Sequence, residues 1–191
     1  MQLYREEENN MKKRILTAVL AAALVTGTCA ATVSAKEEKT YTIGICQLVQ
    51  HDALDAATKG FEDAITEKMG DSVKFDEQNA QGDSNTCSTI INSFVSEGTD
   101  LILANATAAL QAAQAGTSDI PVLGTSVTEY GVALGIDDFN GTVGNNISGT
   151  SDLAPLDEQA AMLQELFPDA KNVGLLYCTA EANSQYQVDE V

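Results

Sequence analysis

Between Tyr41 and Ile136 the chain alternates between two hydrophobic rhythms. Short runs that are apolar throughout or at every other residue predict strands: "YTIGIC" (41–46), "SVKFDEQ" (72–78), "DLILA" (100–104), "IPVLGTSV" (120–127) and "GVALGI" (131–136). "DLILA" has the continuous apolar character of a strand covered on both faces. Between the runs, apolar residues fall three or four apart. Leu54, Ala57, Phe61, Ala64 and Ile65 mark the buried face of a helix that Asp52 can cap and Gly70 ends. Cys87, Ile90, Ile91, Phe94 and Val95 mark a second, capped by Asp83 or Ser84 and stopped at Gly98, and Thr107 opens an alanine-rich third through Gln114. Strand and helix in strict alternation with short connections predict an α/β fold: a parallel sheet, helices on both faces, right-handed crossovers.

The rhythm then breaks. Residues 137–155 are rich in Gly, Asn, Ser and Thr and read as a linker and loop. A helix over 156–168, with Ala160, Leu163, Leu166 and Phe167 on one side, precedes a strand "NVGLLYC" (172–178) and a corner over 179–191 that starts another helix. The expected organisation is a first α/β lobe over 36–150, and a hinge with the start of a second, truncated lobe over 151–191.

The N-terminal residues read as an export signal. Lys12, Lys13 and Arg14 precede an apolar run from Ile15 to Val25, and Val33-Ser34-Ala35 has the small-x-small form that predicts cleavage after Ala35. Residues 1–10 are acidic, wrong for such a segment, and read as an upstream extension before a start at Met11; the signal is then 11–35. Cys29 is a candidate lipidation site, although Thr26-Gly27-Thr28 match a lipoprotein signal poorly.

Charge narrows the partners. Ten Lys+Arg against 28 Asp+Glu give a formal −18, which argues against nucleic acid or anionic membranes as partners. Cys46, Cys87 and Cys178 are an odd set without close pairs; they read as small buried hydrophobes, and neither a metal nor another cofactor is expected. Cys46 and His51, the one histidine, raise the question of a thiol nucleophile and its base at a strand-to-helix corner. Cys46 ends a strand rather than opening a helix, so a packing role fits it better. No nucleotide, hydrolase or metalloprotease motif is present.

In open parallel sheets, ligands bind beyond the carboxyl ends of the strands. Those corners read "QLVQHD", "NAQGDS", "NAT" and "TSVTEY", each with hydroxyls or amides, where helix N-termini also converge. Residues 36–191 contain no arginine. An anionic group would therefore rest on backbone N–H groups or on hydroxyls such as Thr107, Ser126, Thr128 and Ser151. Taken singly, each of these is equally a cap or turn former.

Taken together, "YTIGICQLVQHDALDAATKGFEDAI", "QNAQGD", "DLILANATAALQAA", "SGTSDLAPLDEQAAMLQELFPDAKNVGLLY" and "EANSQYQVDEV" resemble the substrate-binding proteins of a bacterial ABC importer family, often described as tryptophan- or tyrosine-binding. The resemblance implies a periplasmic-binding-protein type I-like fold with two lobes around a hinged cleft. It further implies that the loop holding His51, together with Thr107, Ser126, Thr128, Ser151 and Asp152, lines the first lobe's side of that cleft. Glu181, Asn183 and Ser184 would then come from the second lobe. Asp152 is the expected partner of a ligand ammonium; Thr107, Ser126, Thr128 and backbone would hold its carboxylate. Two positions depart from the family pattern: Cys46 replaces a plain apolar residue, and Glu129-Tyr130 stands where Asp-Pro is common. The function expected is delivery of a small solute, an amino acid with an aromatic one among the options, to an ABC permease. The alternatives are an exported α/β hydrolytic enzyme using Cys46, His51 and Asp52, or an extracellular sensor domain.

Overall fold

The computed structural model describes residues 39–191. The readings of Met11, Cys29 and Ala35 concern residues outside that range. Five strands form one parallel sheet: β1 Tyr41–Gln47, β2 Val73–Asn79, β3 Leu101–Asn105, β4 Val122–Val127 and β5 Ile147–Ser151, in the order β2-β1-β3-β4-β5. Six helices follow them: α1 Asp52–Met69, α2 Ser84–Glu97, α3 Thr107–Gly116, α4 Tyr130–Leu134, α5 Leu156–Leu166 and α6 Ala182–Glu190. The α/β parallel-sheet reading holds.

Alternation along β1 explains the layers. Ile43 and Ile45 point to one face, where with Leu103 they meet Phe61 and Ile65 of α1. Gly44 and Cys46 point to the other, beneath α2. A Cβ on Gly44 would lie 2.6 Å from the Phe94 ring, so glycine here is what lets α2 seat on the sheet. Cys46, Cys87, Ile91, Phe94, Ile102 and Leu110 are fully buried in that second layer. Each large apolar side chain so covered contributes about 1.5–3 kcal/mol. Val95, expected inside, is exposed.

Three sequence expectations need correction. "GVALGI" is not a strand; it lies within and just after α4, because Glu129 caps a helix there, accepting from the N–H groups of Gly131 (3.0 Å) and Val132 (2.6 Å), and Gly135 ends it at φ 64°. The fifth strand is instead β5, inside the supposed linker, with Leu123, Gly124 and Val127 of β4 pairing with Ser148, Gly149 and Ser151. Over 172–178 no strand forms. Leu176 is fully exposed, and among the described residues no neighbouring strand offers the segment a ladder. One cap also differs: His51, not Asp52, caps α1, its Nδ1 accepting from the Ala53 N–H at 3.2 Å.

Candidate functional site

The carboxyl ends of β1, β3 and β4 open on a cavity of about 320 Å³. One wall is apolar: Leu48 and Val49 from the corner after β1, and Leu54 from α1. A second is Ala106, Thr107 and Gln111 at the start of α3, with Ser126 beside them at the end of β4. The C-terminal segment supplies Cys178, Glu181 and Asn183. Among the described lining residues Glu181 is the one formal charge, and no Lys, Arg or His joins it.

Backbone geometry at this corner is unusual. Ala106 has φ 95° and Ser126 φ 55°, both non-glycine residues in a region L-residues avoid. Hydrogen bonds hold them there: Ala106 N–H donates to the Thr125 carbonyl (3.0 Å), and Leu48 N–H to that of Asn105 (3.1 Å). Because Ala106 occupies the N-cap position of α3, no side chain caps that helix. Its first turn, with Thr107 and Ala108 on the cavity, therefore presents N–H groups and the positive end of the helix dipole to whatever sits there. The neighbouring helix α2 differs. Asp83 accepts from the Thr86 N–H at 2.7 Å and closes its terminus.

Of the residues expected at the site, Thr107, Ser126, Glu181 and Asn183 come together on this cavity. The others lie elsewhere. His51 is exposed and occupied as a helix cap. Thr128 accepts from Gln187 Nε2 at 3.5 Å, and the Ser151 hydroxyl donates to the Thr128 carbonyl at 2.8 Å. Ser151 faces a different cavity, of about 550 Å³, with Glu129, Tyr130 and Phe139. Asp152 is exposed beside Tyr130, whose hydroxyl donates to the Thr150 carbonyl and is pushed up to about 12 by burial, then by the Asp152 charge. Ser184 donates to Glu181 at 3.2 Å and borders an apolar groove. Leu48, Val49 and Ala106 lie in corners the sequence marks as ligand-facing and Leu54 in the loop holding His51, though none was singled out; Gln111 was not anticipated. Gln111 was within reach, because it follows Thr107 by one helical turn.

The thiol-nucleophile arrangement does not form. Cys46 is fully buried, and its thiol is pushed up by its hydrogen bond with Cys87, by burial and by Cys87's charge. A thiolate is the reactive form, so this is an inert core sulfur. His51 meanwhile uses Nδ1 on its own helix.

Comparison with known proteins converges on one family. Residues 42–191 match the family described as ABC transporter substrate binding protein. The chain is 43% identical over 157 residues to the tyrosine-binding protein of Clostridioides difficile (strain R20291), covering 81% of this chain and 45% of that protein. Among solved structures it resembles an ABC domain in complex with L-Trp from Streptococcus pneumonia, with TM-score 0.73 and 34% identity over 80% of this chain and 52% of that one. It also resembles the ligand-free, open structure of a substrate binding protein with adhesive properties from Clostridium difficile, with TM-score 0.62 and 42% identity over 79% and 52% of the two chains. The chain spans about half the length of these relatives. Their fold is the periplasmic-binding-protein fold, and the chain belongs to the ABC transporter substrate binding protein family.

Proposed function

We propose that this chain carries the ligand-contacting corner of an exported substrate-binding protein that captures an amino acid with an aromatic side chain and delivers it to an ABC permease. The observation that carries this reading is the pairing, across one cavity, of an uncapped helix N-terminus and hydroxyls with a carboxylate. A zwitterion fits that polarity. Its carboxylate meets the first turn of α3, Thr107 and Ser126; its ammonium meets Glu181, with Asn183 adding an amide. Leu48, Val49 and Leu54 then take the ring. A volume near 320 Å³ sits at the small end of the roughly 300–1,000 Å³ usual for small-molecule sites. The tyrosine and L-Trp named with two of the relatives support an aromatic amino acid.

In this reading Glu181 takes the role first expected of Asp152. His51, Thr128, Ser151, Asp152 and Ser184 shape the loops around the site. Residues 36–150 act as a first lobe and 151–191 as the hinge and start of a second, with export directed by 11–35. Calorimetric titration of the full chain with each amino acid tests it: L-tyrosine or L-tryptophan should bind, and Cys46→Ala should leave that affinity unchanged. Absence of binding by every amino acid overturns the ligand class. A hydrolytic activity abolished by Cys46→Ala would restore the enzyme reading.

A further inference from the structure

Behind the cavity wall lies a polar network, buried at its centre, for which the binding reading has no use. Gln47 and Asn105 are the last residues of β1 and β3, are partners in register, and are 1% and 0% exposed. Thr58 of α1, 3% exposed, completes the buried set, and Asp55 flanks it. Asn105 Nδ2 donates to Thr58 Oγ1 and to the Leu54 carbonyl, each at 2.9 Å. The Thr58 hydroxyl donates to Gln47 Oε1 at 2.7 Å. Gln47 Nε2 in turn donates to Asp55 Oδ1 at 2.6 Å and to the Val49 carbonyl at 3.0 Å.

Every proton in that relay has an acceptor, so donation runs in one direction, from β3 through α1 to β1. The orientation of each amide is thereby set. Two of the acceptors are the carbonyls of Val49 and Leu54, both cavity-lining residues. Asn105 also immediately precedes the strained Ala106, and its carbonyl accepts from Leu48 N–H. One atom is left over. Asn105 Oδ1 is buried with no hydrogen-bond partner among the described residues. An apolar pair would pack there without that penalty, so stability alone is a poor reason for burying two amides.

We propose that Gln47 and Asn105 are positioning residues for the cavity: they touch no ligand, and they fix the backbone of Val49, Leu54 and the Ala106 turn in the arrangement that binds it. The consequence for affinity rests on the proposed function above; the consequence for the cavity backbone does not. Preorganised walls remove the ordering cost a ligand would otherwise meet.

Gln47→Glu tests this at nearly constant volume. It removes both donated bonds and sets a second carboxyl against Asp55. Hydrogen exchange on the full chain should accelerate about tenfold or more at residues 48–55 and 106–108, while 122–151 keep their rate. Affinity for L-tyrosine or L-tryptophan should fall about tenfold or more at pH 8. It should partly recover toward pH 5, where the paired carboxyls share a proton, relative to the unsubstituted chain at the same pH. Thr58→Val, which breaks the relay at its middle without adding charge, should show the same exchange pattern more weakly and keeps the test decisive if Gln47→Glu fails to fold.

Exchange that stays unchanged, or that accelerates equally across 122–151, overturns the proposal, since the amides then serve stability only. So does intact affinity in both variants when the unsubstituted chain binds. If the unsubstituted chain binds neither amino acid, the ligand assignment falls, and the exchange pattern still decides whether the amides position the cavity.

Discussion

Two corners of this sheet are built from the same kinds of residue and end up with opposite character. At the carboxyl ends of β1 and β3, the side-chain amides turn inward to the network behind the wall, α3 has no side-chain cap, and Thr107 and Ser126 face the cavity. Beyond Ser126, past the end of β4 and at the end of β5, hydroxyls and carboxylates are taken up locally. Ser151 donates to the Thr128 carbonyl and accepts from Leu153 N–H, and Glu129 accepts two N–H groups of α4. Tyr130 is buried across the strands, its hydroxyl donating to Thr150. The difference lies in which polar groups remain unpaired toward open space. Residue type alone does not mark a ligand corner; unsatisfied donors on a rigid backbone do.

The sharpest way to break the comparison is to damage the second corner. A Cβ on Gly149 would run into the Tyr130 hydroxyl and the backbone of Gly124, and the latter cannot move without separating β4 from β5. Gly149→Ala should lose about 3 kcal/mol in urea unfolding. Where the variant is folded, its affinity for an aromatic amino acid should match the unsubstituted chain. A large affinity loss at full stability would mean that this corner touches ligand after all.

Alkaline pH probes the same corner more gently. Burial and Asp152 hold Tyr130 at about 12 against an ordinary 10.0. A proton bound more tightly in the folded state stabilises fully below the unfolded value and is lost as pH rises through the folded one. Stability should therefore fall between about pH 10 and 12, by roughly 3 kcal/mol at most. Asp152→Asn should flatten that slope and bring the tyrosinate absorbance transition to lower pH.

At the first corner the contrast becomes one of affinity. Glu181→Gln keeps shape and removes the one charge on the cavity lining among the described residues. A charge-assisted bond is worth about 1.5 kcal/mol or more, so the dissociation constant should rise about tenfold with thermal stability nearly unchanged. Asp152→Asn should change it less than about twofold. The reverse ranking in calorimetric titration would return the ammonium to Asp152, as the resemblance first implied.

How legible these regions are in the sequence follows from how they are covered. β1, β3 and β4 lie between neighbouring strands, and β1 and β3 between helical layers, so their apolar runs stand out and the first four strands are read correctly. β5 buries only Ile147; the rest of "ISGTS" is exposed and held by backbone pairing to β4, which leaves no trace in composition. "GVALGI" misleads because its apolar residues are dense enough for either period, and the deciding signal is a glutamate cap, a residue type rarely read as one. For the site, the carboxyl-end rule points to the strand ends where the cavity opens. It does not separate them, since the left-handed Ala106, the uncapped α3 and the network behind them are properties of the backbone.

The smallest effect tests the cap that makes the second corner what it is. By the resemblance, Glu129-Tyr130 stands where Asp-Pro would be expected, and a change of ligand preference is the natural first interpretation of such a departure. The geometry gives a structural reason instead: the Glu129 carboxylate satisfies two N–H groups of α4, and Tyr130, the first residue of that helix, turns into the core. In so short a helix the cap carries much of the local order, because few intrahelical bonds remain to hold it. Glu129→Ala should lower stability by about 1 kcal/mol and speed exchange at Gly131 and Val132, with no change in ligand ranking. A switch in preference among tyrosine, tryptophan and smaller amino acids would instead make Glu129 a specificity residue, and would join the two corners into one site.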